Sequence, residues 1–447
     1  MRAIRQLAAF SLLLAMSFAG RATNAQQQPS QQDSTPARAE QALRLDDVLK
    51  EALEKNPEAQ SALHTVKALE RRVPQVKTLP DPMVGVGWAG NLAPFSTMSG
   101  DASSYRGITL SQQFPTAGKL KLQAGMAQKD VEAAQTDYET VRRRITAEVK
   151  AAYYDYFYYD KAIQATNQNK ELLDKLSKIS EAQYRVGKAM QQDVLRSQVE
   201  ISMLAEKLTE LEQQKATAQA RINAYLQQSP ETPLAPAAEI EPIEIRYSLD
   251  ELYGLALSND TAADRAQKMI ERSQLGITLA KKQYRPDIGV SYMYQQRTAQ
   301  PDMNGATISV NIPVFYRSKQ RQAVAEAAED LVSAEKMREN RLNEVRFELK
   351  QQYLSAKAAD HLLALYSKGI VPQSSLALES SMSGYQVGKV DFLSVLANFT
   401  SVLNYETDYY RQLADYLTSI ARIESLTGTD ITAPAPDESP APAKKGI

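Results

Sequence analysis

The 447-residue sequence contains no cysteine and only two histidines. Without cysteine the chain can form neither a disulfide scaffold nor a thiolate metal site, and two histidines are too few for a soft-metal centre. Aromatic residues make up 7% of the chain, and 52 basic side chains are balanced by 53 acidic ones, so no excess positive charge attracts nucleic acid. We therefore expect no cofactor, no resident metal and no nucleic-acid partner.

Groups that carry catalysis are also missing. His64 and His361 lie at unrelated points of the chain, no nucleophile is paired with either of them, and no phosphate-binding loop is present. Nucleophilic catalysis needs a base within hydrogen-bond reach of the nucleophile. We therefore expect that the protein is not an enzyme.

Long hydrophobic runs are lacking beyond the first twenty residues. The mean hydropathy is -0.42, and no later run approaches the roughly 20 apolar residues that a membrane-spanning helix requires. Any membrane-spanning part of the chain must therefore be built from strands.

The two ends of the chain differ in composition from the rest. Residues 1–25 combine Arg2 and Arg5 with the apolar stretch 7–19 and small residues at its end, which is the pattern of an export signal peptide. The Gln-, Ser- and Pro-rich segment 26–42 and the Pro- and Ala-rich tail 432–447 are expected to be disordered, because they cannot bury enough apolar surface.

Between these ends the chain contains the same unit twice in tandem. Three patterns recur in the same order at offsets of about 200 residues. They are 45–49 with 249–253, 80–81 with 286–287, and Tyr-x-Val-Gly-Lys at 184–188 and 385–389. The sequence therefore predicts a first repeat at 43–229, a linker at 230–247 and a second repeat at 248–431.

Each repeat contains two segments in which apolar residues alternate with small or polar ones. They predict strands at about 82–90, 105–114, 287–296 and 306–313. Such alternation also occurs in soluble half-buried sheets. These strands, however, are about ten residues long, which is the length that crosses a bilayer when the strand is tilted. Their polar faces carry Gly, Ser and Thr, as the wall of a barrel lumen does. Since a barrel needs about eight strands, several chains must share one.

Most of the remaining chain is predicted to be long helix with coiled-coil spacing of its apolar residues. From Gly118 to Val186 the helix would be about 100 Å long. Each repeat forms a hairpin, with its tip at about 185–191 or 386–392. Gly369 and Pro372 interrupt the second hairpin, where a kink is expected. The aromatic stretch 153–159 lies far from the strands and is predicted to pack between helices.

This ordered set of motifs resembles the TolC family of outer-membrane efflux channels. The resemblance rests on the duplication, on Leu-x-Leu-Asp-x-Val-Leu at 43–49, on the strand-to-helix prolines and on Tyr-x-Val-Gly at both tips. It covers nearly the whole chain between its two ends. The stretches 79–82 and 110–120 look most like the heavy-metal branch of that family.

The resemblance implies a mainly α fold with a small β part, in which three chains contribute four strands each to a twelve-stranded barrel in outer-membrane lipid. Long antiparallel coiled-coil helices would continue the barrel as a periplasmic tunnel. The homotrimer would be the passive channel of a tripartite efflux system, working with an inner-membrane RND pump and a periplasmic adaptor to export heavy-metal cations or drugs. The alternatives are a type I secretion duct and a soluble periplasmic coiled-coil scaffold.

The resemblance also assigns roles to the two tips, whose turns contact the adaptor in this family. In this sequence the corresponding residues are Tyr184, Val186, Gly187, Lys188, Tyr385, Val387, Gly388 and Lys389. A turn between two helices also needs glycine for backbone reasons alone.

Gating in the family pairs an aspartate of the first tip with a basic residue of the second and uses rings of carboxylates. Asp193 occupies the first position, but Val390 stands in place of the basic partner, and Ser394 stands at a ring position. Asp391 is the nearest acidic side chain, and three copies could form a cation-attracting ring. A solvated charge at a helix end explains Asp391 equally well. The gate candidates are therefore Asp193, Asp391 and Ser394.

Aromatic side chains near the outer ends of the strands are candidates for a membrane-interface girdle. Trp88 and Tyr105 are the two residues in such positions.

Overall fold

The computed structural model describes residues 42–90, 97, 101, 103–298 and 300–432. The predicted signal peptide, all but the last residue of the segment 26–42 and all but the first residue of the tail 432–447 lie outside the described residues. The described part is mainly helical and contains one four-stranded sheet, which confirms the predicted fold class.

None of the described helices combines the length and the apolar content needed to cross a membrane.

The two repeats contain the same order of elements. The first comprises α1 (Leu45–Lys55), α2 (Pro57–Lys77), β1 (Met83–Ala89), β2 (Tyr105–Phe114), α3 (Lys119–Arg185) and α4 (Gln191–Tyr225). The second comprises α5 (Leu249–Asn259), α6 (Thr261–Lys282), β3 (Asp287–Arg297), β4 (Met303–Asn311), α7 (Gln320–Leu365), a π-helix (Tyr366–Ile370), α8 (Val371–Gln386) and α9 (Phe392–Thr427).

Each repeat opens with two consecutive helices, α1 and α2 in the first and α5 and α6 in the second. Asn56 starts α2, because its side chain accepts hydrogen bonds from the amides of Glu58 and Ala59. Asp260 starts α6 in the same way, accepting from the amide of Ala263 at 2.6 Å. A side chain that satisfies the free amides of a first turn begins a new helix. The Asn-Pro dipeptide at 56–57 was the available signal for this start.

The sheet is antiparallel with the strand order β1-β2-β3-β4. Val84 pairs with Leu110, which pairs with Tyr292, so the apolar residues of neighbouring strands share one face. The opposite face carries Gly85, Thr109 and other small or polar residues. This register confirms the predicted alternation.

The fourth strand lies at Met303–Asn311 rather than at 306–313. It begins earlier because Met303 pairs with Gln295 of β3. It ends earlier because Pro313 has no backbone N–H to continue the ladder.

The helix α3 runs without interruption for 67 residues, which confirms the predicted long helix. It packs against α2, α4, α6 and α9. The aromatic stretch 153–159 lies in this packing, where Tyr153 and Tyr156 are each 1% exposed. The prediction that these aromatic residues fill the space between helices is confirmed.

The interruption at Gly369 and Pro372 takes the form of a π-helix. The widened turn spans Tyr366–Ile370, and Pro372 then lies in the first turn of α8. Proline is tolerated in a first turn because its missing N–H would have no partner there. Helix α7 therefore continues into α8 through one wide turn.

Candidate functional site

The two tips have the same backbone geometry. In each tip the glycine amide donates to the tyrosine carbonyl three residues earlier, and the lysine amide donates to the carbonyl five residues earlier. The distances are 2.9 and 2.8 Å at Gly187 and Lys188, and 3.0 and 2.9 Å at Gly388 and Lys389. Both glycines have φ +73°. Because other residues rarely adopt this conformation, the turn requires glycine whether or not it contacts a partner.

The two tip tyrosines differ in burial although they occupy equivalent positions. Tyr184 is 45% exposed, whereas Tyr385 is 4% exposed. The Tyr385 hydroxyl donates to the Ser180 hydroxyl at 3.0 Å, and its ring lies edge-on to Phe392 with 5.7 Å between centroids. The Tyr385 side chain, one of the predicted adaptor contacts, is therefore held inside the molecule.

The remaining tip residues form one exposed surface. The side-chain amide of Gln183 donates to the backbone carbonyls of Tyr385 and Gln386, both at 3.3 Å, and so places the two turns side by side. Val186 is 67% exposed and Val387 is 68% exposed. We call the exposed residues of both turns the tip surface. They are Tyr184, Val186, Gly187, Lys188, Val387, Gly388 and Lys389.

The three gate candidates lie at the starts of the returning helices. Asp391 caps α9 by accepting a 2.7 Å hydrogen bond from the amide of Ser394. Asp193 accepts from the amide of Met190 at 3.4 Å in the first turn of α4. Val390 is half-buried and faces Gly384. Both carboxylates therefore stabilise helix starts, a function that does not depend on gating.

The two predicted girdle residues lie on opposite faces of the sheet. Trp88 lies on the apolar face with Val84 and Val86 and is 42% exposed. Tyr105 pairs with Ala89 and shares the small, polar face with Thr109. Of the two predicted girdle residues, only Trp88 therefore lies on the apolar face. The sequence already held the signal, because Tyr105 is an odd number of residues from the apolar Ile108 and strand side chains alternate.

A second cluster of polar side chains lies where the sheet meets the helices, and no role was predicted for it from the sequence. The Lys119 amine lies 2.8 Å from an Asp287 carboxylate oxygen and also donates to the Arg285 carbonyl at 3.1 Å. Asp287 accepts in addition from the amide of Thr116 at 2.7 Å. Only 9% of Lys119 is exposed. This clamp joins the end of β2 to the start of β3.

A cavity of about 290 Å³ lies beside the π-helix, lined by Lys161, Pro372, Glu406 and Tyr409 among others. Glu406 accepts a 3.1 Å hydrogen bond from the Asn169 side chain. Burial raises the pKa of the Glu406 carboxyl, and the hydrogen bond from Asn169 only partly offsets this effect. Across the described ranges, no group of three or more His, Asp or Glu side chains is arranged to hold a metal ion.

The chain matches the family model described as outer membrane efflux protein over residues 48–227 and 252–429. A comparison with curated proteins finds no match.

Solved structures of similar fold include the outer membrane protein VceC from Vibrio cholerae, at 16% identity and a TM-score of 0.73, covering 86% of this chain and 96% of that chain. The outer membrane channel MtrE from Neisseria gonorrhoeae, in its open state, is 16% identical with a TM-score of 0.68, covering 87% and 89%. CusC, whose crystal structures concern folding and transmembrane channel formation, is 14% identical with a TM-score of 0.70. The match covers 86% of this chain and 91% of that chain. At these identities the likeness establishes the fold.

Proposed function

The chain belongs to the outer membrane efflux protein family, and from that premise we propose that three copies of it form the passive channel of a tripartite efflux system. The observation that carries the proposal is the uncovered apolar face of the sheet. Val84 on β1 is 69% exposed and Ile308 on β4 is 73% exposed. A face of this kind is stable in lipid rather than in water.

The sheet supports a shared barrel because both of its edges are open. Among the described strands, β1 and β4 each pair on one side only, and an unpaired strand edge in lipid leaves backbone groups without hydrogen bonds. Pairing β4 of one chain with β1 of the next removes both edges, and three chains give a closed barrel of twelve strands. The 67-residue helix α3 then extends the conduit by about 100 Å towards the tips.

The tip surface is the proposed docking site of a periplasmic adaptor that connects the channel to an inner-membrane RND pump. Val186 and Val387 offer exposed apolar side chains beside Lys188 and Lys389. The proposed substrates are heavy-metal cations or drugs, and the motif resemblance at 79–82 and 110–120 favours the metal cations. Substrate selection would belong to the pump.

Membrane fractionation with crosslinking tests the proposal. We expect the full chain in the outer membrane as a trimer that restores efflux to a host lacking its own channel. Val186→Asp and Val387→Asp should abolish efflux and adaptor crosslinking but leave the trimer intact. Val332→Asp, at an exposed position on α7, is the matched control.

Recovery of the wild-type chain only in the soluble periplasmic fraction would contradict the channel function. Secretion of a protein without an RND pump would instead indicate a type I duct.

A further inference from the structure

Basic residues are concentrated at one end of the sheet. The segments that connect strands with helices contain nine Lys and Arg residues and two Asp residues; they are 77–82, 115–121, 281–287 and 312–321. The loops at the opposite end, 90–104 and 298–302, contain no Lys or Arg and two Asp residues. In the whole chain basic and acidic side chains are nearly equal in number, so this asymmetry is a local feature.

The strand pairing brings these connecting segments together. Asp287 at the start of β3 pairs with Asn311 at the end of β4, and α6 packs along α7. The last residues of α6 and the turn before α7 therefore lie next to each other. The Lys282 amine contacts a third segment, 115–121, because it donates to the Ala117 carbonyl at 2.9 Å.

Two of these segments, 281–287 and 312–321, contain five exposed basic side chains, and we call these five the basic collar. They are Lys281, Arg285, Arg317, Lys319 and Arg321. Among the residues that the structure describes, no carboxylate lies within salt-bridge distance of any of the five. Their charge is therefore available to an external anion.

Exposed aromatic side chains lie beside the collar. Phe315 is 74% exposed and Tyr316 is 46% exposed. The Arg317 guanidinium carbon lies 5.9 Å from the centre of the Tyr316 ring. The last apolar residue of β4 is Val310, and the exposed Ile312 and Val314 continue the apolar surface up to the aromatic residues. Aromatic and basic side chains at the edge of an apolar band are typical of a membrane–water interface.

We propose that the basic collar binds the headgroups of anionic phospholipids, such as phosphatidylglycerol, in the membrane leaflet on the helix side of the barrel. The inference rests on the proposed function, since it requires the sheet to lie in a bilayer. Arginine recognises phosphate through paired N–H donors, and each basic group near an anionic surface adds to the attraction. At the opposite end the loops contain no basic residue, and the strand ends contain only Arg106 and Arg297, which donate to Gln296 and Gln300. The positive charge is therefore denser at the collar, and the preference is expected in the leaflet that the collar faces.

Phospholipid spin labels test the proposal on the full-length protein in liposomes. The fraction of label immobilised by the protein is measured for phosphatidylglycerol and for phosphatidylcholine. We expect the wild type to prefer phosphatidylglycerol, and the triple variant R317Q/K319Q/R321Q to lower that preference by about tenfold. The control variant R346Q/K350Q/K357Q removes three exposed charges further along α7 and should keep it. High salt should reduce the preference of the wild type.

A second variant, K281Q/R285Q, probes the collar from its other segment and covers the case in which the triple variant does not fold. It should also lower the preference. Equal immobilisation of both labels by the wild type, or an unchanged preference in both collar variants, would overturn the inference. Failure of the protein to immobilise either label would instead contradict the proposed membrane channel, so the two failures are distinguishable.

Discussion

The Tyr385 hydroxyl donates a 3.0 Å hydrogen bond to the Ser180 hydroxyl and so joins α8 to α3 just above the two tips. Ser180 is 0% exposed, so the bond is shielded from water. The equivalent tyrosine of the first repeat, Tyr184, is 45% exposed. The two copies of the unit have therefore diverged at this position, since one tyrosine stabilises the tips and the other remains available for contact.

Tyr385→Phe should destabilise the tips without disturbing their surface. The substitution keeps the ring against Phe392 but leaves the buried Ser180 hydroxyl without its donor, which costs about 1 kcal/mol. Hydrogen exchange of the tip amides should become faster, while exchange at the sheet is unchanged. Tyr184→Phe is the matched control and should leave exchange at the tips unaltered. Equal effects of the two substitutions would show that burial does not distinguish the tyrosines.

Gly187→Ala and Gly388→Ala should destabilise their turns to the same extent. Both glycines have φ +73°, and an added Cβ atom would meet no atom within 4 Å at either position. The cost is therefore backbone strain of about 1 kcal/mol rather than a clash, and asparagine should cost less than alanine at both sites.

Bulky substitutions at either glycine should abolish efflux and leave a trimer in the outer membrane. Loss of the trimer in crosslinking experiments would mean that the turns are needed for assembly.

Lys119→Met should weaken the junction between the sheet and the helices. Asp287 would keep its hydrogen bond from the Thr116 amide but lose the amine at 2.8 Å, and we expect a loss of about 2 kcal/mol. Urea unfolding monitored by circular dichroism measures this change. Lys121→Met, at an exposed position two residues further along α3, should have little effect. A similar loss in both variants would indicate that general charge, and not the clamp, sets the stability.

The sequence was sufficient to predict most of the strands and helices because each leaves a strong periodic signal. The alternation in β3, for example, identifies the apolar face through Ile288 and Val290, and α3 contains no proline. Short-range signals in the sequence add two further features. The Asn-Pro dipeptide marks the start of α2, and the position of Tyr105 relative to Ile108 is sufficient to place it on the polar face.

Tertiary contacts explain what the sequence could not show. Tyr184 and Tyr385 lie in the same motif, and only the packing of Tyr385 against Phe392 separates their roles. The clamp between Lys119 and Asp287 joins residues 168 positions apart. No local pattern predicts which lysine meets which aspartate over such a separation.

Glu406→Gln should raise the thermal stability at neutral pH and have no effect in acid. Burial raises the pKa of Glu406 above its ordinary value of 4.5, so the folded protein holds the proton at pH values where the unfolded chain has released it. Stability therefore falls as the pH rises from 4.5 through the folded pKa and stays lower above it. Glutamine remains uncharged and can still accept from Asn169. We expect the melting temperature of the variant to be about 1–2 °C higher than wild type at pH 7.5 and equal to it at pH 4.

The matched control for this prediction is Glu379→Gln, at an exposed position on α8. Differential scanning calorimetry at both pH values should show no comparable gain. If Glu406→Gln gave the same shift at pH 4 as at pH 7.5, the gain would come from packing and not from the charge.

Substitutions of Asp391 separate helix capping from gating. The carboxylate accepts from the Ser394 amide at 2.7 Å, and an asparagine side chain caps a helix about as well, whereas alanine costs about 1 kcal/mol. Asp391→Asn should therefore preserve the stability of α9, and Asp391→Ala should lower it. If three Asp391 carboxylates also line the closed end, both substitutions remove the same negative charge and should reduce the cation selectivity of the channel equally in planar bilayers. A selectivity loss with alanine alone would assign the effect to the helix start and exclude the ring.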